Sequence, residues 1–218
     1  MLRYRCLVLD HDDTVVRSAE TVNYPQFLQV LAALRPGRQL TLEAYLTGSI
    51  DPGFHAMCRQ WFGFTPAEMD WMFRAWQQYV QTHIPPAYDG IAQILRRQRA
   101  LGGLLCVSSH SSPANITRDW QRHFGMTPDE IFGWELGPEK RKPSPYALQQ
   151  IMRHYGLAPQ QLVVIDDLKP GYEMAKRCSV DFIAAGWSHR FPEIRRIMQE
   201  NCDYYMQTVE NLEKFLFS

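Results

Sequence analysis

Three short polar clusters carry the residues best suited to chemistry. Asp10-His11-Asp12-Asp13-Thr14 sets two carboxylates two positions apart, directly after the apolar run Cys6-Leu7-Val8-Leu9. Ser108-Ser109 follows Leu104-Leu105-Cys106-Val107, and Asp166-Asp167 follows Leu162-Val163-Val164-Ile165. A fold that brings Asp10, Asp12, Asp166 and Asp167 together makes a concentrated acidic site. Two bare carboxylates about 4 Å apart repel by about 4 kcal/mol at an effective dielectric of about 20. Such a cluster persists only with a cation or with raised pKa values. Oxygen ligands without a His/Cys set favour Mg2+ over zinc. A hard cation beside a nucleophilic carboxylate, with a lysine and a hydroxyl nearby, suits phosphoryl transfer. Each cluster alone also has a plain structural reading. Aspartates are common in turns, and acids at a helix start are favoured by its dipole.

The elements that would position these residues are legible from the same runs. Unalternating apolar stretches predict strands buried on both faces of a parallel sheet, and Phe182-Ile183-Ala184-Ala185 is a fourth, weaker one. Helical stretches separate them. Gly90 to Ala100 has Ile91, Ile94 and Leu95 at helical spacing; Ser112-Pro113 opens a helix that Gly125 closes; Ser144-Pro145 repeats that start signal before Tyr146 to Tyr155; Pro170-Gly171 opens a helix through Cys178. Strand–helix alternation predicts an α/β fold. Beyond Ser18 the alternation lapses until Thr82. Ala19 to Leu34, Leu42 to Leu46 and Thr65 to Gln81 read as helices, the last with a capping box at Thr65-Pro66-Ala67-Glu68. The aromatic bulk of Trp61, Trp71, Met72 and Trp76 reads as helix–helix core. Ile84-Pro85-Pro86 marks a hinge back into the α/β part.

Of 218 residues 45% are hydrophobic, enough for a sizeable core. Lys+Arg and Asp+Glu both number 23, so no basic footprint points to nucleic acid or to an anionic membrane. The five cysteines, Cys6, Cys58, Cys106, Cys178 and Cys202, are odd in number and contain no C-x-x-C, which fits a reducing compartment. The first residues lack the apolar region of a signal peptide, and no stretch reaches the ~18 apolar residues of a membrane span. The expectation is a soluble, cytoplasmic protein, a monomer or small homo-oligomer, without nucleic-acid or membrane partners.

Taken in order, the three clusters together with Lys142-Pro143-Ser144-Pro145 resemble the four motifs of the haloacid dehalogenase-like (HAD) hydrolase superfamily, in its phosphatase branch with a helical cap. Asp10-His11-Asp12-Asp13-Thr14 is similar to D-x-D-x-T; Val107-Ser108 to the apolar strand ending in Ser or Thr; Lys142-Pro143-Ser144-Pro145 to the motif-three lysine; and Ile165-Asp166-Asp167-Leu168-Lys169-Pro170-Gly171 to the acidic pair before a helix. The resemblance implies a Rossmann-like core over 1–16 and 86–218 and an inserted α-helical cap over 17–85. It implies that Asp10 is the nucleophile that becomes an aspartyl-phosphate, and that Asp12 is the general acid and then base. Ser108, with Ser109 beside it, and Lys142 would hold the phosphoryl group. Lys140 and Lys169 are rivals for the lysine role. Mg2+ would be bound by Asp10, by the backbone carbonyl of Asp12, and by Asp167, with Asp166 directly or through water. Thr14 would support the loop.

Three positions depart from the pattern. His11 stands where an apolar residue is usual, Asp13 where Gly or Asn is common, and Arg17 where an acid often follows. His110, after the second motif, is either a loop residue or one that faces substrate. The expected activity is Mg2+-dependent hydrolysis of a small phosphorylated metabolite, with Asn23, Arg59 and Gln60 as candidate specificity contacts from the cap. A sugar-phosphate phosphomutase and a non-catalytic binder are the alternatives. Retention of Asp12 argues against a dehalogenase, and the absence of lysine between Arg3 and Thr82 argues against a phosphonate hydrolase with a Schiff-base lysine in its cap.

Overall fold

Strands with apolar residues at every position need cover on both faces, and the sheet is built that way. The structure, a computed structural model, describes residues 2–218; Met1, where the expected core span begins, lies outside the described residues. The chain divides into two compact units. One runs to Arg17 and resumes over Ala87–Ser218; the other is Ser18–Pro86. In chain order the elements are β1 (Cys6–Leu9), then α1 (Tyr24–Leu34), α2 (Leu42–Gly48), α3 (Phe54–Phe62) and α4 (Pro66–Thr82). There follow α5 (Ile91–Ala100), β2 (Leu104–Ser108), α6 (Pro113–Phe124), β3 (Glu130–Phe132), α7 (Tyr146–Tyr155) and β4 (Leu162–Asp166). The chain ends with α8 (Lys169–Arg177), β5 (Asp181–Ala185), α9 (Pro192–Gln199), β6 (Tyr204–Met206) and α10 (Val209–Phe217).

In the first unit the six strands form one parallel sheet in the order β3-β2-β1-β4-β5-β6. Side chains alternate between two layers. Leu7, Leu9, Leu105, Val107, Val163 and Ile165 pack with Ile94, Ile116, Trp120 and Leu212 of α5, α6 and α10. Cys6, Val8, Cys106, Leu162 and Val164 pack on the other face with Leu148, Ile151, Met174 and Met198 of α7, α8 and α9. This is a Rossmann-like α/β fold. After β1 the chain builds β2 and β3 on one side, then crosses to β4 on the other. The strand order therefore reverses between β1 and β4, and ligands bind beyond the carboxyl ends at such a point.

Edge strands β3 and β6 escape the sequence reading because each has three residues and no continuous apolar run. Helices α3, α9 and α10 are likewise additions. The start signal at Ser112 holds, its hydroxyl accepting from the Asn115 amide, and Gly125 ends α6 in the left-handed conformation. Ser144 does not repeat it. Pro145 is the cap residue of α7 with no side-chain cap, and the Ser144 amide donates to Arg141 in a turn.

The helical unit is built around Phe27, Tyr45, Met57, Phe62, Phe64 and Met72. The run Ala19 to Leu34 is a π turn over Ala19–Asn23 leading into α1. Pro25 has no amide hydrogen to give to the carbonyl four residues back, and the Tyr24 amide reaches Ala19, five back. The capping box of α4 forms as expected, with Glu68 reaching back to the Thr65 amide. Arg35 pairs with Glu68 and holds its carboxyl down at about 2. The aromatic reading needs correction: Met72 is core, but Trp61 and Trp71 are exposed. Phenylalanines from α1 and α3 fill the space their indoles were expected to fill. Among the described residues no helix is long and apolar enough to cross a membrane.

Candidate active site

The nucleophile candidate leaves β1 at the sheet's switch point. The Asp10 amide donates to Ile165 at 2.8 Å, a bond that extends the β1–β4 pairing and seats Asp10 beside Asp166 at the end of β4. Beyond Asp10 the backbone turns tightly. The His11 carbonyl accepts from both Val15 and Val16, and the Asp13 amide donates to Val16 at 2.7 Å. Asp13 takes the bend with φ at 56°, in the left-handed region. Asp and Asn tolerate that region better than most side chains, which explains why an acid can stand where glycine is common.

Asp10, Asp166 and Asp167 form the acidic group, each offering an oxygen within 4.8 Å of the others; all three are buried. Lys142, from the loop before α7, donates to Asp10 Oδ1 at 2.7 Å and to Asp166 Oδ2. Of the three candidate lysines it alone lies between these acids, while Lys169 pairs outward with Glu173 and Lys140 lies over Tyr146. Burial opposes the Lys142 charge, but Asp10 and Asp166 outweigh it and hold the ammonium above its usual range. Burial and the Asp10 charge push Asp166 up to about 6, against the pull of Lys142. Asp167 is driven well above the carboxylate range by burial and by Asp166, Asp10 and Asp13. Three carboxylates and one ammonium leave two negative charges, which a divalent cation balances. The donor set is oxygen alone, the chemistry of a hard cation.

Asp12 does not join that group. Its Oδ2 accepts from the Ser111 hydroxyl at 2.7 Å, so the expected convergence of four carboxylates is a convergence of three. The Asp12 carboxylate therefore lies outside the acidic group and on Ser111. Ser108 ends β2, and among the described residues its hydroxyl has only the weak acceptor Met174 Sδ, at 3.8 Å. Ser109 is turned into its own loop, where its Oγ accepts from the Ser111 amide. Thr14 reaches Asp167 Oδ1 at 3.5 Å.

His11 is buried and points to α6, with Nε2 3.1 Å from Asp119 Oδ2. Asp119 also accepts from Arg118, and these two partners hold its carboxyl low despite burial. His11 and Asp119 thus form a buried polar pair between the loop after β1 and α6. His110 is exposed, and its Nε2 lies 3.2 Å from the Lys142 carbonyl. The protein around its ring and the Lys142 charge push it down.

Gly171 in the first turn of α8 packs so closely on Asp166 that a Cβ there would overlap the carboxylate. Gly171→Ala should therefore displace Asp166 from Lys142 and lower turnover at least about tenfold, while the folded content in circular dichroism stays that of wild type. Unchanged turnover would refute the close-approach argument.

Sequence reasoning missed Ser111, Asp119, Trp187, His189 and Tyr205. Only Asp119 left a signal, an acid in the apolar stripe of Ile116, Trp120 and Phe124. Trp187 Nε1 donates to the Thr14 carbonyl at 3.2 Å, and His189 Nε2 lies 2.7 Å from the Asp167 carbonyl.

The family pattern for haloacid dehalogenase-like hydrolases matches residues 4–179. The chain belongs to this family. Solved HAD-like structures share its fold over nearly the whole length. A predicted phosphoglycolate phosphatase of Haemophilus somnus is 18% identical and superposes with a TM-score of 0.76 over 99% of both chains. CbbY of Rhodobacter sphaeroides, in complex with phosphate, is 22% identical with a TM-score of 0.74, covering 97% of this chain and 96% of its own. A mutant of CbbY in complex with xylulose-(1,5)bisphosphate is 21% identical, with a TM-score of 0.73 and coverage of 96% and 95%. No curated protein matches the sequence. As HAD-like hydrolases generally use a divalent metal, the group of Asp10, Asp166 and Asp167 is where this chain would hold one.

Proposed function

We propose that this HAD-like hydrolase is a Mg2+-dependent phosphatase of small phosphomonoesters, working through an aspartyl-phosphate on Asp10. The observation that carries the reading is the buried trio of Asp10, Asp166 and Asp167 with the Lys142 ammonium between two of them. Mg2+ bound by these carboxylates and the Asp12 carbonyl would neutralise charge on the phosphoryl oxygens. The protein's own groups account for the remaining steps. Asp10 attacks phosphorus through a carboxylate oxygen, and the bond from phosphorus to the ester oxygen breaks. Asp12, oriented by Ser111, gives its proton to the departing oxygen. It then takes a proton from a water that attacks phosphorus, and the bond to Asp10 breaks to release phosphate. Lys142 and the Ser108 hydroxyl hold the phosphoryl oxygens, and catalysis is mainly positioning and electrostatic stabilisation. Ser109 accepts from the Ser111 amide through its oxygen and keeps its hydroxyl hydrogen to donate to the phosphoryl group beside Ser108.

The helical unit over residues 18–86 is read as the cap, supplying specificity and excluding water. Arg59 and Gln60 are exposed and remain candidates for substrate contact; Asn23 is engaged by Trp76 Nε1 at 2.9 Å. The neighbours direct the choice of substrates. A panel of phosphoglycolate, pentulose and hexose phosphates, bisphosphates, nucleotides and an aryl phosphate is expected to give phosphate release from a few members. Release should fall at least about 100-fold in excess chelator and return with Mg2+. Full activity in chelator would overturn the metal-dependent reading, and isomerisation of a sugar phosphate without release would replace hydrolysis by mutase chemistry.

A further inference from the structure

The loop after β5, Gly186-Trp187-Ser188-His189-Arg190, belongs to none of the four motifs, yet two of its side chains end on the backbone of two of them. Trp187 donates its indole N–H to the Thr14 carbonyl, in the loop of Asp10 and Asp12. His189 is 3% exposed and spans from the Asp167 carbonyl, 2.7 Å from Nε2, to the Tyr205 hydroxyl, 3.1 Å from Nδ1. A carbonyl only accepts, so Nε2 carries the hydrogen, and Nδ1 is left to accept from Tyr205. Thr14 closes the ring, its hydroxyl reaching the Asp167 carboxylate at 3.5 Å.

The loop is itself firmly held. The Ser188 hydroxyl and amide both donate to the Ala185 carbonyl, at 2.9 and 3.2 Å, and the His189 amide donates to Gly186 at 3.2 Å. Gly186 sits so close to the Tyr205 ring that a Cβ would overlap it. The loop starts where β5 pairs with β4, Ala184 opposite Asp166, so its base moves with the acidic pair. Three carboxylates that repel one another will spread unless their backbones are tied. Both ties run to backbone carbonyls rather than to the carboxylates, so they fix position while leaving ligand oxygens uncommitted.

We propose that Trp187 and His189 are positioning residues that hold the Thr14 backbone, in the loop of Asp10, and the Asp167 backbone in place, so that this loop sets the metal affinity of the site. The proposal rests on reading Asp10, Asp166 and Asp167 as the metal site. Groups that orient metal ligands typically change affinity by 10–100-fold when removed.

The test measures Mg2+ binding to the full chain by calorimetry, without any substrate. His189→Leu should raise the Mg2+ Kd about tenfold or more. His189→Gln, which keeps a donor at a similar reach, should return it to within about threefold of wild type, and Trp187→Phe, which loses only the N–H, should raise it about threefold or more. The melting temperature in chelator separates position from mere stability. A folded His189→Leu or Trp187→Phe that melts lower in chelator but binds Mg2+ as tightly as wild type overturns the proposal. Should His189→Leu not fold, Trp187→Phe carries the same test with the same overturning result. Wild-type protein that fails to bind Mg2+ removes the metal site, and this proposal with it. Wild-type binding that either folded variant retains removes this proposal alone.

Discussion

Asp10→Asn should abolish phosphate release, by about 10^4-fold or more, without unfolding the protein. Asparagine has the shape of aspartate but its amide is no nucleophile toward phosphorus, and removing a nucleophile costs nearly the whole of the covalent route. The stability effect is expected to be small because two opposing changes accompany it. Lys142 loses one of its two anionic partners, 2.7 Å away, while Asp166 and Asp167 lose a like charge within 4.8 Å. At an effective dielectric of about 20 the two terms are of similar size, each a few kcal/mol, and of opposite sign. The melting temperature should therefore stay within a few degrees of wild type. The covalent step has its own readout. Acid-quenched wild type mixed with a good substrate should carry a phosphoryl group on the peptide that contains Asp10, and Asp10→Asn should carry none. Turnover surviving in Asp10→Asn would remove the nucleophile assignment, whereas an unphosphorylated but active wild type would argue for direct attack by water.

How much of this was legible beforehand depended on the kind of signal. β1, β2 and β4 are central strands covered on both faces, so burial writes itself as the unbroken apolar runs at Cys6, Leu104 and Leu162. The polar residues that end those runs had to lie at the carboxyl edge of the sheet, which made Asp10, Ser108 and Asp166 recognisable as candidates. Strands β3 and β6 at the sheet edges carry no comparable run, because an edge strand is short and less completely covered. Trp61 and Trp71 misled for a related reason. Residue type reports what a side chain can bury, but which face of a helix meets a neighbour is decided by packing, and Phe27, Phe62 and Phe64 took that role.

The supporting residues were harder still. Ser111, Trp187 and His189 reach Asp12, Thr14 and Asp167 by hydrogen bonds from 99, 173 and 22 positions away. No periodicity or spacing encodes such a contact. His11 is the instructive intermediate. Its position beside Asp10 marked it as unusual, and a buried imidazole requires a partner, yet only the fold identifies Asp119 on α6. Asp12 gave the reverse lesson. Its nearness to Asp10 in sequence suggested that four carboxylates could converge, but its side chain lies on Ser111 while Asp10, Asp166 and Asp167 group together.

Lys142→Met is the second variant with a large expected effect, and it tests the electrostatics of the site rather than its nucleophile. Methionine keeps most of the stem and removes the charge, leaving Asp10 and Asp166 buried without their shared counterion. Breaking a buried pair in this way costs about 3–5 kcal/mol, which for a chain of this size is roughly 6–20 °C in melting temperature. Turnover should fall about 10^2–10^3-fold with the loss of a fixed cation for the phosphoryl oxygens. The pH dependence distinguishes this account from simple loss of packing. Burial holds Asp166 at about 6 in the folded protein, above its unfolded value, so the folded state binds the extra proton. Stability from this group is therefore fully present below the unfolded value of about 4 and is lost as pH rises through about 6. Without Lys142 the folded value moves further up and the loss grows. Melted in chelator, the variant should fall furthest below wild type above pH 7 and approach it near pH 5, where Asp166 takes up its proton. Mg2+ should restore part of the deficit at neutral pH, because it supplies the positive charge that methionine lacks. A deficit that is the same at pH 5 and pH 8, and indifferent to Mg2+, would mean that Lys142 contributes packing alone and that the acidic trio does not govern the energetics of the site.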